Sequence, residues 1–392
     1  MASETRSFLL LCAHCFFAFA ALGTYFPYFA LFLREHVGLT SSQIGVVIAI
    51  SPLVGLLAQP TWGHIADRTG SRVRVLVVLC IGATGGFAAL ARAQGMAATV
   101  TATFALSLFL APLFPLSTSV MFAALPSPSL FGRVRVWGTI GYLVTVVGAP
   151  RVLELLRVPV PHMFYVASGC CLVAGALAAL LPARAGLRAQ AQSGDLRALL
   201  SEGPFVRVLV FTAGIQLCLH GPMQLFPLYV RSRGGTMTDL SNLWICMLLL
   251  EAPLIFGSSK LFATFGVARM MLIASAGGGV RWLVCSLVPA LSGVYAVQAL
   301  HALVVTGLSV GTALYVEQIV PERLRSTAQS TVVMVGSSVG GVLSSTIGGV
   351  VVDRFGVDTL FMIGGAGALL FTWAGRELLS AAGPLRARDP AT

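Results

Sequence analysis

Three residues in the second half of the chain, Glu251, Arg281 and His301, carry heads that can hold a charge or move a proton. All three sit inside stretches that are otherwise uncharged. Glu251 is the only one of the 14 acids placed so deep, and Arg281 is the only base. At 1.5 Å per helical residue, Glu251 lies about 16 Å from the outer end of its run. Arg281 lies about 20 Å from the inner end of its own, and His301 about 14 Å from its outer end. In a hydrocarbon layer about 30 Å thick, all three fall near the middle. A charge there costs at least ~2.5–3.5 kcal/mol, so it must face a cavity or a partner. Such a trio can exchange a proton between Glu251 and His301 while Arg281 biases the acid or binds an anionic group. The same residues also read as a structural Glu251–Arg281 pair with His301 a satisfied core histidine.

The composition requires lipid as the solvent. Of 392 residues, 57% are hydrophobic and 10% are charged, against about 25% charged in a soluble domain. Water-soluble globular classes and disorder are both excluded. The net charge of +11 does not gather into a patch for nucleic acid; its basic residues, all Arg except Lys260, lie in pairs and triplets between apolar runs. Eight cysteines fall inside those runs and read as small buried hydrophobes, the Cys12–Cys15 spacing included. No metal site and no cofactor are expected. GxxxxGK[ST] and HExxH are both missing from the chain. The first run, from Phe8 to Leu33, is too long for a cleaved signal and reads as a retained span.

Twelve predominantly apolar runs are long enough to span a bilayer: 8–33, 42–64, 73–92, 98–122, 136–153, 163–181, 205–230, 240–262, 268–288, 292–318, 327–351 and 358–379. Between spans nine and ten only Pro289 to Gly293 marks a turn. With both termini cytoplasmic, 17 of the basic residues fall inside and 7 outside, Arg281 being the remainder. That bias follows the positive-inside rule. Pro182 to Pro204 is the longest polar stretch, and the segments on either side of it repeat. Phe26-Pro27 answers Phe226-Pro227 at an offset of 200, Gly70 answers Gly266 at 196, and Arg133–Arg135 answers Arg323–Arg325 at 190. The expected fold is therefore all-α, with twelve transmembrane helices in two pseudo-symmetric six-helix halves. Residues 1–181 form the first bundle, 182–204 a cytoplasmic linker and 205–392 the second bundle.

Gly63-His64-Ile65-Ala66-Asp67-Arg68-Thr69-Gly70-Ser71-Arg72, in the loop between spans two and three, resembles the loop signature of the major facilitator superfamily. The resemblance implies a gating role for Gly63, Asp67, Arg68, Gly70 and Arg72, with Asp67 gaining and losing a partner between conformers. Ala263 stands where the second half would carry the matching acid. Tyr25–Phe29, and Phe131–Gly138 entering span five, resemble the lactose-permease-like and phenylpropionate-permease-like branches. His220, Glu251, Arg281-Trp282, Gln298–His301 and Arg323–Gln329 look more like the phenylpropionate branch. In the lactose permease an acid lies one turn beyond the span-ten histidine, where this chain has Val304. No charged residue occurs in 93–132, where that permease keeps its sugar-binding acid. Lactose-type transport is therefore not expected.

The resemblance implies a secondary transporter with a central cavity, and not an enzyme. The expected solute is a small organic molecule, aromatic or carboxylate-bearing, moved by proton symport. Glu251, Arg281 and His301 serve the coupling, while Tyr25, Tyr28, Arg135, Tyr142, His220 and Gln298 are candidates for the cavity wall. The alternatives are efflux of a drug or metabolite by proton antiport, or a non-transporting membrane receptor or membrane-embedded enzyme. The expected setting is the inner (plasma) membrane, as a monomer with its lipid bilayer, solute and protons for partners.

Overall fold

The computed structural model describes residues 2–125, 127, 130–181 and 195–380. Among the described residues, twelve helices are long and apolar enough to cross a bilayer. They are α1 Thr5–Glu35, α2 Ser41–Thr69, α3 Arg72–Ala91, α4 Gly95–Ala124, α5 Phe131–Leu156, α6 His162–Ala179, α7 Gly203–Gln224, α8 Met237–Phe256, α9 Val267–Leu287, α10 Leu291–Ile319, α11 Thr327–Phe355 and α12 Val357–Leu379. Among the described residues there is no strand. The protein is an all-α, multi-pass membrane protein. Its outward faces fit no other solvent, since Leu57, Leu155 and Phe256 are 76%, 81% and 85% exposed. Of the expected linker, 182–194 lies outside the described residues, and so does the tail 381–392.

The chain forms two compact units, residues 1–189 with 236–242, and 190–235 with 243–392. Within the first, α1 packs on α5 and α6, α3 on α4 and α6, and α2 on α4. Within the second, α7 packs on α11 and α12, α9 on α10 and α12, and α8 on α10. The pairings repeat with each label raised by six, as a duplicated bundle requires.

The sequence repeats reappear as structural breaks. The first helix stops at Tyr25 and resumes at Phe29, because Pro27 has no N–H to donate and its ring crowds the preceding turn. The seventh stops at Gln224 and a short helix, Phe226–Ser232, resumes with Pro227 in its first turn. The sequence pattern ran span seven through to 230, and the proline accounts for the shorter helix. Gly70 and Gly266 end the corresponding helices at φ of 64° and 79°, a backbone that a side chain would strain. Span eight ends at Phe256 rather than 262, with Gly257 separating it from a further helix, Ser258–Phe265.

Lipid supplies no hydrophobic drive between helices, so association rests on close backbone approach and buried hydrogen bonds. A Cβ at Gly141 would strike the Phe16 carbonyl, so α5 can lie against α1 only with glycine there. The same device joins α7 to α11. The Gly221 amide donates to Ser344 Oγ at 2.6 Å, and a Cβ there would sit 2.6 Å from the Ser344 carbonyl oxygen. His14 ties three helices of the first unit: its Nδ1 meets the Ala174 carbonyl and its Nε2 meets Ser117 Oγ, both at 2.9 Å.

Candidate functional site

Arg281, in the middle of α9, is 2% exposed and held by neutral groups. Gln298 Oε1 accepts from its Nε at 2.9 Å and from its Nη2 at 2.7 Å, a bidentate grip that fixes the guanidinium plane. Nη1 donates to His301 Nδ1 at 3.1 Å. An arginine nitrogen can only donate, so Nδ1 is the acceptor and the ring proton belongs on Nε2. The sulfurs of Met247 and Met223 lie 3.3 and 3.8 Å from Nη2. The charge also stacks on Trp282 at 4.0 Å, with Phe226 at 5.9 Å. Four of the five N–H donors are thereby used, and the fifth, on Nη1, meets no partner among the described residues. None of these groups carries a negative charge.

A cavity of about 170 Å³ opens beside this cluster. Its wall includes Arg281, Trp282 and His301, with His220 and Gln216 from α7 and Ser309 from α10. No aspartate or glutamate is part of that wall. His220 is braced by Gln224, whose Nε2 lies 3.1 Å from the ring Nε2. A second cavity of about 150 Å³ adjoins the first and shares Gln216, Leu308 and Ser309 with it. Both are walled in part by π-helical turns, Val305–Val310 in α10 and Met334–Gly340 in α11. Such turns inside a helix are frequent at functional sites.

The other candidates fall in several places. Gln298 is fully buried, its amide nitrogen donating to the Val294 carbonyl at 3.1 Å, so it positions Arg281 from behind the wall. Glu251 opens the second segment of α8, Glu251–Phe256, just after a break at Leu250, and is half-buried. Neither cavity wall includes it. In the first unit, Tyr25 packs in an aromatic cluster with Phe29, Phe87 and Phe164. Tyr28 is fully buried and its hydroxyl donates to the Val146 carbonyl at 2.6 Å, with Ser241 Oγ 2.7 Å away. Arg135 lies with its guanidinium 4.0 Å over Phe19, and its buried Nη1 has no hydrogen-bond partner. Tyr142 is half-buried on the same helix. The motif expected in a loop lies mostly on a helix, since α2 runs on to Thr69 and carries Gly63, Asp67 and Arg68 in its last turns; Arg72, at the start of α3, pairs with Asp67 at 3.0 Å and donates to Ser119 Oγ at 2.8 Å. Gly63 and Arg68 are exposed and Gly70 makes the left-handed turn.

Sequence reasoning fastened on charges and missed the neutral polar residues of the wall. Their signal was spacing. Thr212, Gln216 and His220 recur every four residues on α7, and Ser309 with Thr312 extends the face that carries His301 on α10.

The MFS_1 like family matches residues 8–363. A maltose permease of Geobacillus stearothermophilus is 30% identical over 354 residues, covering 88% of this chain and 88% of that protein. A lactose permease of Klebsiella oxytoca is 24% identical over 389 residues, covering 90% and 89%. Among solved structures, a mutant of the nucleoside transporter NupG superposes with a TM-score of 0.86 at 15% identity, covering 95% of this chain and 99% of the other. A bacterial homolog of the human lysosomal transporter Spinster, inward-facing and occupied, gives 0.76 at 13% identity, covering 99% and 100%.

Proposed function

The chain belongs to the MFS_1 like family and is a transporter, not an enzyme, and on that premise we propose that it carries a small carboxylate-bearing organic solute by proton symport. One observation carries the reading. Arg281 is buried at a cavity wall with only neutral partners, one donor unused, and no acid in that wall. A desolvated cation costs several kcal/mol unless a counter-charge arrives. An anionic solute supplies it. Glu251 and His301 are the groups we assign to the proton, His301 through its direct contact with Arg281. The Asp67–Arg72 pair serves as the gate that one conformer keeps and the other releases.

The two six-helix bundles, 1–181 and 205–392, alternate the cavity between the two sides of the inner membrane. Both termini are cytoplasmic, following the basic-residue bias, and the working form is a monomer. The test is uptake into proteoliposomes with an imposed pH gradient, using a panel of aliphatic and aromatic carboxylates. Accumulation that a protonophore abolishes, and that Arg281→Gln loses together with binding, is expected. Gradient-independent uptake would overturn the proton coupling. Unchanged carboxylate binding in Arg281→Gln would overturn the anion site.

The likeness to the maltose permease supports a second reading, in which the solute is a neutral sugar. Maltose binding that survives Arg281→Gln would favour it.

A further inference from the structure

We infer that the solute is a hydroxylated carboxylic acid of the sugar-acid kind, held by its carboxylate at Arg281 and by its hydroxyls in the adjoining cavity. The inference rests on the anion reading above and names what the rest of the molecule must be. The second cavity changes chemistry with distance from Arg281. Its polar wall is Thr212, Gln216, Ser309, Thr312 and Gln329, with no charged group among the lining residues. These are donors and acceptors of the kind that recognise hydroxyl groups, and they offer nothing to a second charge.

One of them is left unused. Thr212 Oγ1 is buried and makes no hydrogen bond in the structure. Buried hydroxyls in folded proteins nearly always have a partner, so one unpaired at a cavity wall points to a ligand group. Gln329, by contrast, has its Nε2 committed to the Ala313 carbonyl at 2.7 Å, which leaves its oxygen for the cavity.

The dimensions fit such a solute. His220, which lines the first cavity together with Arg281, and Thr212, which lines the second, are eight residues apart, about 12 Å along α7. The adjoining cavities therefore run far enough for an extended six-carbon chain of about 6–7 Å with a hydrogen bond of about 2.8 Å at each end. Cavities of about 170 and 150 Å³ each take roughly five water-sized groups. A simple fatty or aromatic carboxylate would satisfy Arg281 but leave the polar wall unpaired.

The experiment is calorimetric binding to the full-length protein in detergent with three probes. Gluconate has the carboxylate and the hydroxyls, hexanoate the carboxylate alone, and glucitol the hydroxyls alone. Gluconate should bind roughly tenfold tighter than hexanoate, the worth of one or two added hydrogen bonds. Glucitol should bind weakest. Thr212→Val removes the unpaired hydroxyl without breaking any bond within the protein. It should cancel most of gluconate's advantage and leave hexanoate unchanged, which also certifies the fold. Ser309→Ala, at an exposed hydroxyl between the cavities, gives an independent reading with the same expectation. Hexanoate bound as tightly as gluconate, or a gluconate advantage that survives both substitutions, overturns the inference and leaves the anion site standing. Neither carboxylate bound above glucitol overturns the anion site itself, and the inference with it.

Discussion

Replacing Gln298 by glutamate changes one atom's chemistry and should separate the stability of the Arg281 cluster from its function. The new carboxylate takes the place of an amide whose oxygen already lies 2.7 and 2.9 Å from two guanidinium nitrogens. It would therefore complete an ion pair without moving the backbone. Hydrogen bonds to a charged group contribute about 1.5–3 kcal/mol each, and ionising the acceptor strengthens both. Against that gain, the bond from the amide nitrogen to the Val294 carbonyl at 3.1 Å is lost and two acceptors face each other there, so the thermal midpoint in detergent should change little. Binding should fall sharply. At an effective dielectric of about 20, a solute carboxylate 4 Å from Arg281 gains about 4 kcal/mol. A fixed carboxylate about 6 Å from that solute takes back nearly 3 kcal/mol, roughly a hundredfold in affinity. Gln298→Met, which removes the acceptors without adding charge, is the control and should lower the midpoint. Equilibrium binding of the carboxylate probes reads the affinity, and scanning calorimetry reads the fold. If Gln298→Glu binds carboxylates within threefold of the parent while folded, the guanidinium charge is not what holds the solute.

Three further outcomes follow from the structure. Asp67→Asn breaks a partly exposed pair with Arg72, so it should cost under about 1 kcal/mol of stability. It should nevertheless slow transport severely with solute affinity within a few-fold; transport at the parent rate would reduce the loop to an ordinary turn. Glu251→Gln should abolish proton-driven accumulation while keeping solute exchange, measured as counterflow. Accumulation equal to the parent's would make Glu251 structural. Gly221→Ala forces a methyl group against the Ser344 carbonyl and should destabilise by about 1–3 kcal/mol. Gly148→Ala, on the open side of α5 with nothing within 4 Å, should be neutral or stabilising; equal melting points for the two would refute the close-approach account of α7 and α11.

The fold was legible because a bilayer imposes length and polarity on each element separately. Twelve apolar runs could be read without knowing how they pack, and paired signals such as Pro27 with Pro227 and Gly70 with Gly266 carried the duplication. One further pair went unread, Gly38 with Gly234, at φ of 78° and 73° and again 196 residues apart. The site was legible only where a residue was expensive. Arg281 and His301 stood out because a charged or titratable head in an apolar run demands a reason, and the structure brings those two into contact. Thr212, Gln216, Ser309 and Gln329 are cheap to bury and common in membrane helices, so their types alone carried no signal. Their i, i+4 spacing did carry one, but a face can be assigned to a cavity only once its neighbours are known.

Gln298 shows why the arrangement around Arg281 suits a binding site better than a stable core. Its amide could face either way in isolation, but the Val294 carbonyl can only accept, so the amide nitrogen must turn toward it. The oxygen is thereby aimed at the guanidinium, and the guanidinium in turn is set in one plane, its last free proton and its whole charge uncancelled. A carboxylate in place of the amide would still accept from Arg281, but it would have nothing to donate to the Val294 carbonyl and would neutralise the charge permanently. A glutamine gives orientation without neutralisation. On the proposed reading, the desolvation cost that the guanidinium carries is the free energy that an anionic solute recovers on arrival, which is how a site inside a membrane can favour a hydrated solute over water.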